Sequence, residues 1–222
     1  MLFANHDRIV FAGDSVTDMG SALPVGEGLG DNLGRGYVRK VENLLAAVYP
    51  QLYIRVTNSG HGGNTSRDLL ARWNRDVLSL KPQWISIMIG INDVWRQYDS
   101  PAIPEQAVSP EEYENNLEQM LTSAASCETV KGIFLLTPFY IEPNQQDMLR
   151  ARLDIYGDIC KKLAAKHGCT LVDLQSMLAA YASVRHSSYI AWDRVHPNEV
   201  GATLIAREFL RHCDFHFEGE DC

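Results

Sequence analysis

The stretch WISIMIGI at residues 84–91 is the longest strongly apolar run of the chain, and it points to the fold class. It is far shorter than the roughly 20 apolar residues that cross a bilayer, and it contains Ser86 and Gly90. Such a run is typical of a strand that is buried on both faces. Other β-branched runs alternate with longer segments of helical periodicity, which predicts a parallel sheet covered by helices on both sides.

Five strands and six helices follow from this alternation. The predicted strands lie at residues 8–12, 53–58, 84–89, 131–137 and 170–173, and the predicted helices lie at residues 37–49, 66–79, 110–126, 147–166, 174–184 and 199–211. We therefore expect an α/β fold with three layers (α/β/α) and a five-stranded parallel sheet, in a single domain over residues 1–222. In this architecture, ligands bind beyond the carboxyl ends of the strands.

Charge and composition narrow the range of partners. The 222 residues are 45% hydrophobic and 22% charged, and the formal net charge is −8. This composition is ordinary for a folded globular domain. An acidic chain repels phosphate backbones, so we expect no nucleic-acid partner. Because no apolar run is long enough to span a bilayer, we expect no membrane partner either.

The first residues and the cysteines favour a cytoplasmic location. Residues 1–7 contain neither the basic segment nor the long apolar segment of a secretory signal. The five cysteines are odd in number, widely spaced and without a C-x-x-C pair: Cys127, Cys160, Cys169, Cys213 and Cys222. We expect them to be reduced thiols that pack as small apolar side chains in a cytoplasmic protein.

Short polar motifs follow three of the predicted strands and precede the last helix. GDS at residues 13–15 follows the first strand, NSGHGGNT at 58–65 the second and GIND at 90–93 the third, while DRVH occupies 193–196. Taken singly, each motif consists of ordinary turn residues. Because the carboxyl ends of parallel strands lie at one edge of the sheet, the four motifs together indicate one functional site.

These motifs contain the parts needed for nucleophilic acyl transfer. Ser15 lies on a tight turn directly after a strand, but a serine hydroxyl is a weak nucleophile until a base takes its proton. His196 has a carboxylate three residues before it, so Asp193 can hold one imidazole nitrogen while the other faces Ser15. The backbone N–H groups of Ser15 and Gly63 and the side-chain amide of Asn92 are the predicted donors of an oxyanion hole.

The four motifs, in this order, resemble the four blocks of the SGNH, or GDSL-type, hydrolases. The resemblance extends over residues 13–196 and so covers most of the chain. It implies a flavodoxin-like sheet and a serine esterase or lipase activity. It also implies that Ser15 is the nucleophile, that Gly63 and Asn92 are oxyanion donors, and that Asp193 and His196 complete the triad.

Three further stretches resemble one branch of that family, the intracellular acetyl-xylooligosaccharide esterases. They are IMIGINDVWRQY at residues 87–98, TPFYIE at 137–142 and AWDRVHP at 191–197. This resemblance implies that the chain removes acetyl groups from short xylan fragments, that its partner is a small acetylated oligosaccharide, and that it forms a homo-oligomer.

Several aromatic residues lie beside the predicted catalytic motifs. Trp95, Tyr98 and Trp192 are the candidate substrate-binding residues, and Phe139 and Tyr140 follow another strand end. Aromatic side chains are more often core residues than ligand contacts. Their placement here predicts a partly exposed aromatic wall, which suits stacking on sugar faces and burial in an interface equally well.

Three other chemistries fit the sequence less well. Asp14 and Asp18 are four positions apart, whereas a haloacid-dehalogenase-type phosphatase needs two aspartates two positions apart; we interpret both as hydrogen-bonding the turn of Ser15. The glycines of residues 26–36 fit no G-x-G-x-x-G register, and we interpret this segment as a flexible loop flanking the site. No histidines form a tight ligand pair, so we expect no metal and no cofactor.

Two functional alternatives stay open. A lysophospholipase or thioesterase could use the same triad, but it would need an apolar lid or acyl channel. No insertion is long enough for a lid, and residues 99–109 are polar. A non-catalytic carbohydrate-binding protein on the same scaffold is disfavoured because no predicted catalytic position is substituted.

Overall fold

The structure, a computed structural model, describes residues 1–218 and has the three predicted layers around a sheet of six strands. The strands are β1 (Arg8–Gly13), β2 (Gly26–Glu27), β3 (Arg55–Gly60), β4 (Trp84–Met88), β5 (Gly132–Leu136) and β6 (Thr170–Val172). The helices are α1 (Ser15–Asp18), α2 (Tyr37–Val48), α3 (Ser66–Asp76), α4 (Ile91–Asp99), α5 (Pro110–Ala125), α6 (Met148–His167), α7 (Leu174–Ala182) and α8 (Glu199–Arg211). The prediction for the Cys222 thiol lies outside the described residues.

The sheet has the order β2-β3-β1-β4-β5-β6, and only β2 is antiparallel to its neighbour. All of β4 and all but the first residue of β1 are buried, because these strands lie in the middle of a sheet covered on both faces. In one helical layer α5 packs against α3 and α6; in the other α8 packs against α2 and α7. Within residues 1–218, no helix is long and apolar enough to cross a membrane.

The sheet has one strand more than predicted, and it lies in the segment interpreted as a flexible loop. Gly26 and Glu27 of β2 pair with Asn58 and Thr57 of β3 at the sheet edge. The chain is so tight here that a Cβ on Gly26 would lie 1.8 Å from the Asn32 carbonyl oxygen. Two residues are too few for a strand periodicity, so only the pairing partner reveals β2.

Helices α1 and α4 were also missing from the prediction. α4 follows Gly90, whose φ of 136° falls outside the range of ordinary residues, and no side chain caps its first turn. The usual N-cap sequence is therefore absent, although Ile91 and Val94 are buried. The predicted helix at residues 66–79 is shorter than expected, because α3 ends at Asp76 and a separate 3₁₀ turn, Leu78–Leu80, follows.

Three neighbouring strands end at the same level. Gly13 at the end of β1 is in register with Gly60 at the end of β3 and with Met88 at the end of β4. The segments that leave these strands therefore begin side by side. They carry the three motifs that the sequence analysis assigned to one site.

Candidate active site

Ser15 lies on a tight turn between β1 and α1. A Cβ on Gly13 would lie 2.3 Å from Thr17 Oγ1 and 2.5 Å from the Met88 carbonyl oxygen, so this close approach requires glycine. Asp14 caps α1, because its carboxylate accepts a hydrogen bond of 3.0 Å from the Val16 N–H. Ser15 is the first residue of α1, a position whose N–H has no acceptor within the helix. The turn thus holds both the hydroxyl and the N–H of Ser15 at the strand end.

The prediction that Asp14 and Asp18 hydrogen-bond the turn of Ser15 is confirmed for Asp14, whereas the Asp18 carboxylate bonds to residues outside that turn. Asp14 is the cap just described. Asp18 accepts hydrogen bonds from the N–H and hydroxyl of Ser21 and, at 3.1 Å, from the Gly62 N–H of the loop after β3. The carboxylate of Asp18 therefore joins the Ser15 turn to the neighbouring loop.

Asp193 and His196 lie on a short turn that leads into α8. Asp193 Oδ1 accepts hydrogen bonds from the N–H groups of Val195 and His196, at 3.0 and 2.7 Å. Its other oxygen, Oδ2, lies 2.6 Å from His196 Nδ1. Arg194 within the turn has a φ of 67° and forms an ion pair with Glu142, and the Arg194 carbonyl accepts from Ile141 N–H at 2.9 Å. The segment after β5 therefore holds the Asp193–His196 turn through its contacts with Arg194.

The structure brings Ser15, His196 and Asp193 into one hydrogen-bonded chain. Ser15 Oγ lies 2.8 Å from His196 Nε2, although the two residues are 181 positions apart. Partial burial of Asp193 opposes its ionisation, but hydrogen bonds from His196 and Val195 outweigh this effect and lower its pKa. An ionised Asp193 keeps the Nδ1 proton on His196, which leaves Nε2 to accept the proton of Ser15.

Gly63 lies in a turn after β3 that leaves its N–H uncommitted. The Asn64 N–H donates to the His61 carbonyl at 3.2 Å, so residues 61–64 form the turn and Gly63 is its third residue. The φ of Gly63 is 78°, a value that a type II turn requires at this position and that glycine adopts without strain. The hydrogen bond of the turn does not use the N–H of the third residue. Gly63 can therefore donate to a ligand.

Asn92 lies in the first turn of α4 and is almost completely buried. Its Nδ2 donates to the Asn64 carbonyl at 3.0 Å, which fixes the amide beside the turn of Gly63. An amide nitrogen carries two hydrogens, so one donor remains. Ser15, Gly63 and Asn92 thus lie on the segments that leave three adjacent strand ends, as the sequence analysis predicted.

The sequence analysis missed Arg72, a buried arginine on α3 that joins two of these segments. It donates to Asn64 Oδ1 at 2.7 Å, to Ser59 Oγ and carbonyl at 2.9 Å each, and to the Gly13 carbonyl at 3.0 Å. The signal was present in the sequence, because position 72 falls between Leu69 and Trp73 on the apolar face of a predicted helix. A charged residue on such a face needs partners.

Asp93 was part of a motif but had no predicted role. Its carboxylate accepts hydrogen bonds from the Ser66 N–H at 3.0 and 3.1 Å and from the Ser66 hydroxyl, and so it links α4 to the first turn of α3. Burial raises the pKa of Asp93 to about 7, even though these hydrogen bonds favour the charged form. Burial likewise raises the pKa of Asp14 to about 7, against the opposing effects of the Val16 N–H and His196.

The three candidate substrate-binding aromatics lie in different surroundings. The Trp95 ring is 6.2 Å from the His196 ring, centroid to centroid, so it borders the site. The Tyr98 hydroxyl donates to the Met148 carbonyl at 3.2 Å, at the start of α6. Trp192 is 88% exposed. Only Trp95 makes a ring contact with the triad in the described part of the chain.

The fold and site together define the class of protein. The model of the GDSL-like lipase/acylhydrolase family matches residues 11–204, and the chain belongs to this family. It is accordingly an ester hydrolase of the SGNH type. Within residues 1–218, no group of three or more histidine, cysteine, aspartate or glutamate side chains is arranged to hold a metal ion.

Individual relatives are similar over almost the whole chain. An acetylxylan esterase from Geobacillus stearothermophilus is 48% identical over 215 residues, which is 97% of this chain and 97% of that protein. The crystal structure of Axe2, an acetylxylan esterase from Geobacillus stearothermophilus, has a TM-score of 0.96 at 47% identity and covers 100% of both chains. Structures described as catalytic mutants of Axe2 carry alanine in place of a serine, an aspartate or a histidine.

A further solved structure comes from a different source. LAE5, described as an alpha/beta hydrolase enzyme from the metagenome of Lake Arreo, Spain, has a TM-score of 0.92 at 46% identity. The similarity covers 96% of this chain and 97% of LAE5.

Proposed function

We propose that this protein is a serine esterase that removes acetyl groups from xylo-oligosaccharides. The observation that carries the proposal is the chain of hydrogen bonds from Ser15 Oγ through His196 to Asp193, with distances of 2.8 and 2.6 Å. The similarity to acetylxylan esterases over 97% of the chain supports the substrate class.

The proposed reaction proceeds in two steps through an acyl-enzyme. His196 Nε2 takes the proton of Ser15 as Oγ attacks the acetyl carbon, and the carbonyl electrons move to its oxygen. The N–H groups of Ser15 and Gly63 and the Asn92 amide stabilise that oxyanion. His196 then returns the proton to the departing sugar oxygen, which leaves acetyl-Ser15. His196 Nε2 then takes a proton from a water molecule as the water attacks the acetyl carbon, and the bond to Ser15 Oγ breaks as His196 returns the proton to Oγ, which releases acetate.

The surroundings of Gly63 favour a sugar over a long acyl chain. A cavity of about 400 Å³ opens beside Gly63, and its side chains are polar: Thr65, Arg67, Asp68, Arg96, Glu105 and Gln106. A long acyl chain gains about 0.8 kcal/mol for each methylene that an apolar pocket buries. A polar cavity provides no such gain, which supports a short acyl group and a polar leaving group.

A series of p-nitrophenyl esters tests the acyl preference. We expect kcat/KM to be highest for acetate and to fall steeply by butyrate, and we expect acetylated xylobiose to be deacetylated. A fluorophosphonate probe should label the unaltered protein and not Ser15→Ala. If activity rises from acetate to octanoate, the lysophospholipase or thioesterase alternative replaces this proposal. If the probe does not react with the unaltered protein, the non-catalytic alternative replaces this proposal.

We also propose a cytoplasmic location. Cys127, Cys160, Cys169 and Cys213 are free thiols, which is usual in a reducing compartment. Imported oligosaccharides, unlike polymeric xylan, reach that compartment. Cell fractionation tests this point, and recovery of the protein from the secreted fraction would contradict it.

The homo-oligomer predicted from the resemblance remains a proposal. Large apolar side chains are exposed along one segment before the catalytic turn, namely Val184, Tyr189 and Trp192. Exposed apolar patches often mark interfaces. Light scattering coupled to size exclusion measures the mass directly, and a monomer at micromolar concentration would contradict the proposal.

A further inference from the structure

The cavity beside Gly63 adjoins the candidate oxyanion hole, because Gly63 and Arg96 of helix α4 both line it. Asn92, Trp95 and Arg96 are spaced i, i+3 and i+4, so they lie on one face of this helix. Trp95 contacts His196, and Arg96 Nη2 lies 3.6 Å from where a Cβ on Gly63 would be. The guanidinium of Arg96 therefore lies one helical turn from the Asn92 amide and directly against the Gly63 turn.

The far wall of this cavity is held in place. Arg67 donates from Nη1 to the Glu105 carbonyl at 2.8 Å and from Nη2 to the Ala107 carbonyl at 3.1 Å. Arg67 also forms two hydrogen bonds with the Glu112 carboxylate, at 2.6 and 2.8 Å. The segment that carries Glu105 and Gln106 is thus tied to α3 and α5, and the cavity has a defined shape.

Several polar groups in this cavity remain available to a ligand. Arg96 uses Nη1 for its ion pair with Asp99, which leaves Nη2 on the side of Gly63. Asp68 accepts both hydrogen bonds from Thr65 through Oδ2, which leaves Oδ1. Glu105 and Gln106 are exposed. Both donors and acceptors therefore line a space of about 400 Å³, within the range of about 300–1,000 Å³ typical of small-molecule sites.

Neutral hydroxyl-rich ligands match this lining best. Both arginines of the lining are paired with carboxylates, Arg96 with Asp99 and Arg67 with Glu112, so the lining has no unpaired positive charge that would select an anion. Its side chains include no large apolar group for an acyl chain. A sugar ring presents hydroxyls that both donate and accept, as this lining requires.

We propose that this cavity is a sugar subsite that binds the xylose residue next to the acetylated one, with Arg96 and Gln106 as specificity-determining donors. The inference rests on the proposed deacetylation of xylo-oligosaccharides and adds a preference for chains over single sugars. Arg96 is a binding residue in this scheme and takes no part in the chemical step.

The test compares kcat/KM for acetylated xylotriose with kcat/KM for acetylated xylose. We expect the unaltered enzyme to favour the trisaccharide. Arg96→Ala should lower the ratio of the two values about tenfold or more, because it removes hydrogen bonds from a charged donor. Gln106→Ala should lower it by a smaller factor, and Arg96→Lys should retain part of the preference.

Arg211→Ala is the matched control, because Arg211 forms an ion pair with an acidic residue three positions away on α8, as Arg96 does on α4. It should leave the ratio unchanged. An unchanged ratio in Arg96→Ala, or an equal loss on both substrates, would overturn the subsite. If the unaltered enzyme deacetylates neither sugar, the proposed function fails as well, and the two failures are thereby distinguished. Thermal melting confirms that each variant is folded.

Discussion

The two halves of the candidate site are held in different ways. The oxyanion half, at the ends of β1, β3 and β4, is held by buried side chains, because Arg72 and Asp93 connect its segments through hydrogen bonds, although Gly63 itself is exposed. The acid–base half is a turn in which the side chains of Asp193 and His196 are 43% and 38% exposed. Its hydrogen bonds are local, apart from the one between His196 and Ser15 and the contacts to the segment after β5.

This difference separates two tasks of an esterase. The donors that stabilise an oxyanion must be fixed before the reaction, since their orientation would otherwise cost free energy during it. The base has to reach the serine and the leaving group, so it needs access to solvent and substrate. We infer that the sheet provides the fixed half and that the exposed turn provides the accessible half.

The largest effect should come from breaking the chain that joins the two halves. Ser15→Ala and His196→Ala should each lower kcat by about 10⁴–10⁶-fold, and the double variant should lose little more, because the residues act as one unit. Hydrolysis of p-nitrophenyl acetate measures this. Ser126→Ala, an exposed serine at the end of α5, is the control and should keep full activity. Additive losses would show that the two halves act independently.

Removing one donor from the oxyanion half should have a smaller effect. Asn92→Ala should lower kcat by about 10²–10³-fold with little change in KM, since the lost hydrogen bond forms only in the transition state. Steady-state kinetics on acetylated xylobiose separate the two constants. Asn74→Ala, an exposed asparagine on α3, serves as the control. A raised KM with unchanged kcat would assign Asn92 to substrate binding instead.

Replacing an arginine by methionine in each half should show how much each half contributes to the free energy of unfolding. Arg72→Met leaves four acceptors without their donor, so we expect the free energy of unfolding to fall by about 3 kcal/mol. Arg194→Met removes a partly exposed ion pair with Glu142 and should cost about 1 kcal/mol or less. Urea denaturation measures both values. Equal losses would contradict the distinction between a half held by buried side chains and a half on a partly exposed turn.

A further difference between the halves should appear in the pH dependence of stability. The pKa of Asp93 is about 7 in the folded state, above its ordinary value of about 3.9 in the unfolded chain. Its contribution to stability is therefore fully present below about pH 4 and is lost as the pH rises through 7. Asp93→Asn avoids this loss, so its Tm relative to the unaltered protein should rise between pH 5 and pH 8.

The same linkage gives the size of this Tm difference and a control variant for it. A change of 1 kcal/mol corresponds to about 2–4 °C for a chain of this length. Asp193→Asn should show no such rise, because the pKa of Asp193 is lowered and its stabilising effect is lost only as the pH falls through that lowered value. A Tm difference for Asp93→Asn that stays constant from pH 5 to pH 8 would contradict the burial argument.

Elements with a strong local pattern were predictable. The five parallel strands and six of the helices occur near their predicted positions, and α8 (Glu199–Arg211) matches at both ends, with Asn198 capping its start. α4 and β2 were not predicted. α4 begins at a glycine without a side-chain cap, and β2 forms only because β3 lies beside it.

The residues of the candidate site differ in the same way in how far they could be predicted from local sequence. Ser15, Asp193 and His196 were recognisable because their chemistry requires those residue types in short motifs at strand ends. Arg72 was not assigned, because its four hydrogen bonds reach segments that only the folded chain brings together. The cavity beside Gly63 was equally hidden, since its walls come from α3, α4 and the segment before α5.

The sequence by itself determined the class of fold, the order of its main elements and the residue types of a serine hydrolase, because periodicity and turn chemistry are local properties of the chain. The tertiary structure alone decided the 2.8 Å contact between residues 181 positions apart, the common level of three strand ends and the difference between a half held by buried side chains and a half on a partly exposed turn. These features depend on strand register and packing, which arise from contacts between distant segments and leave no pattern in any one of them.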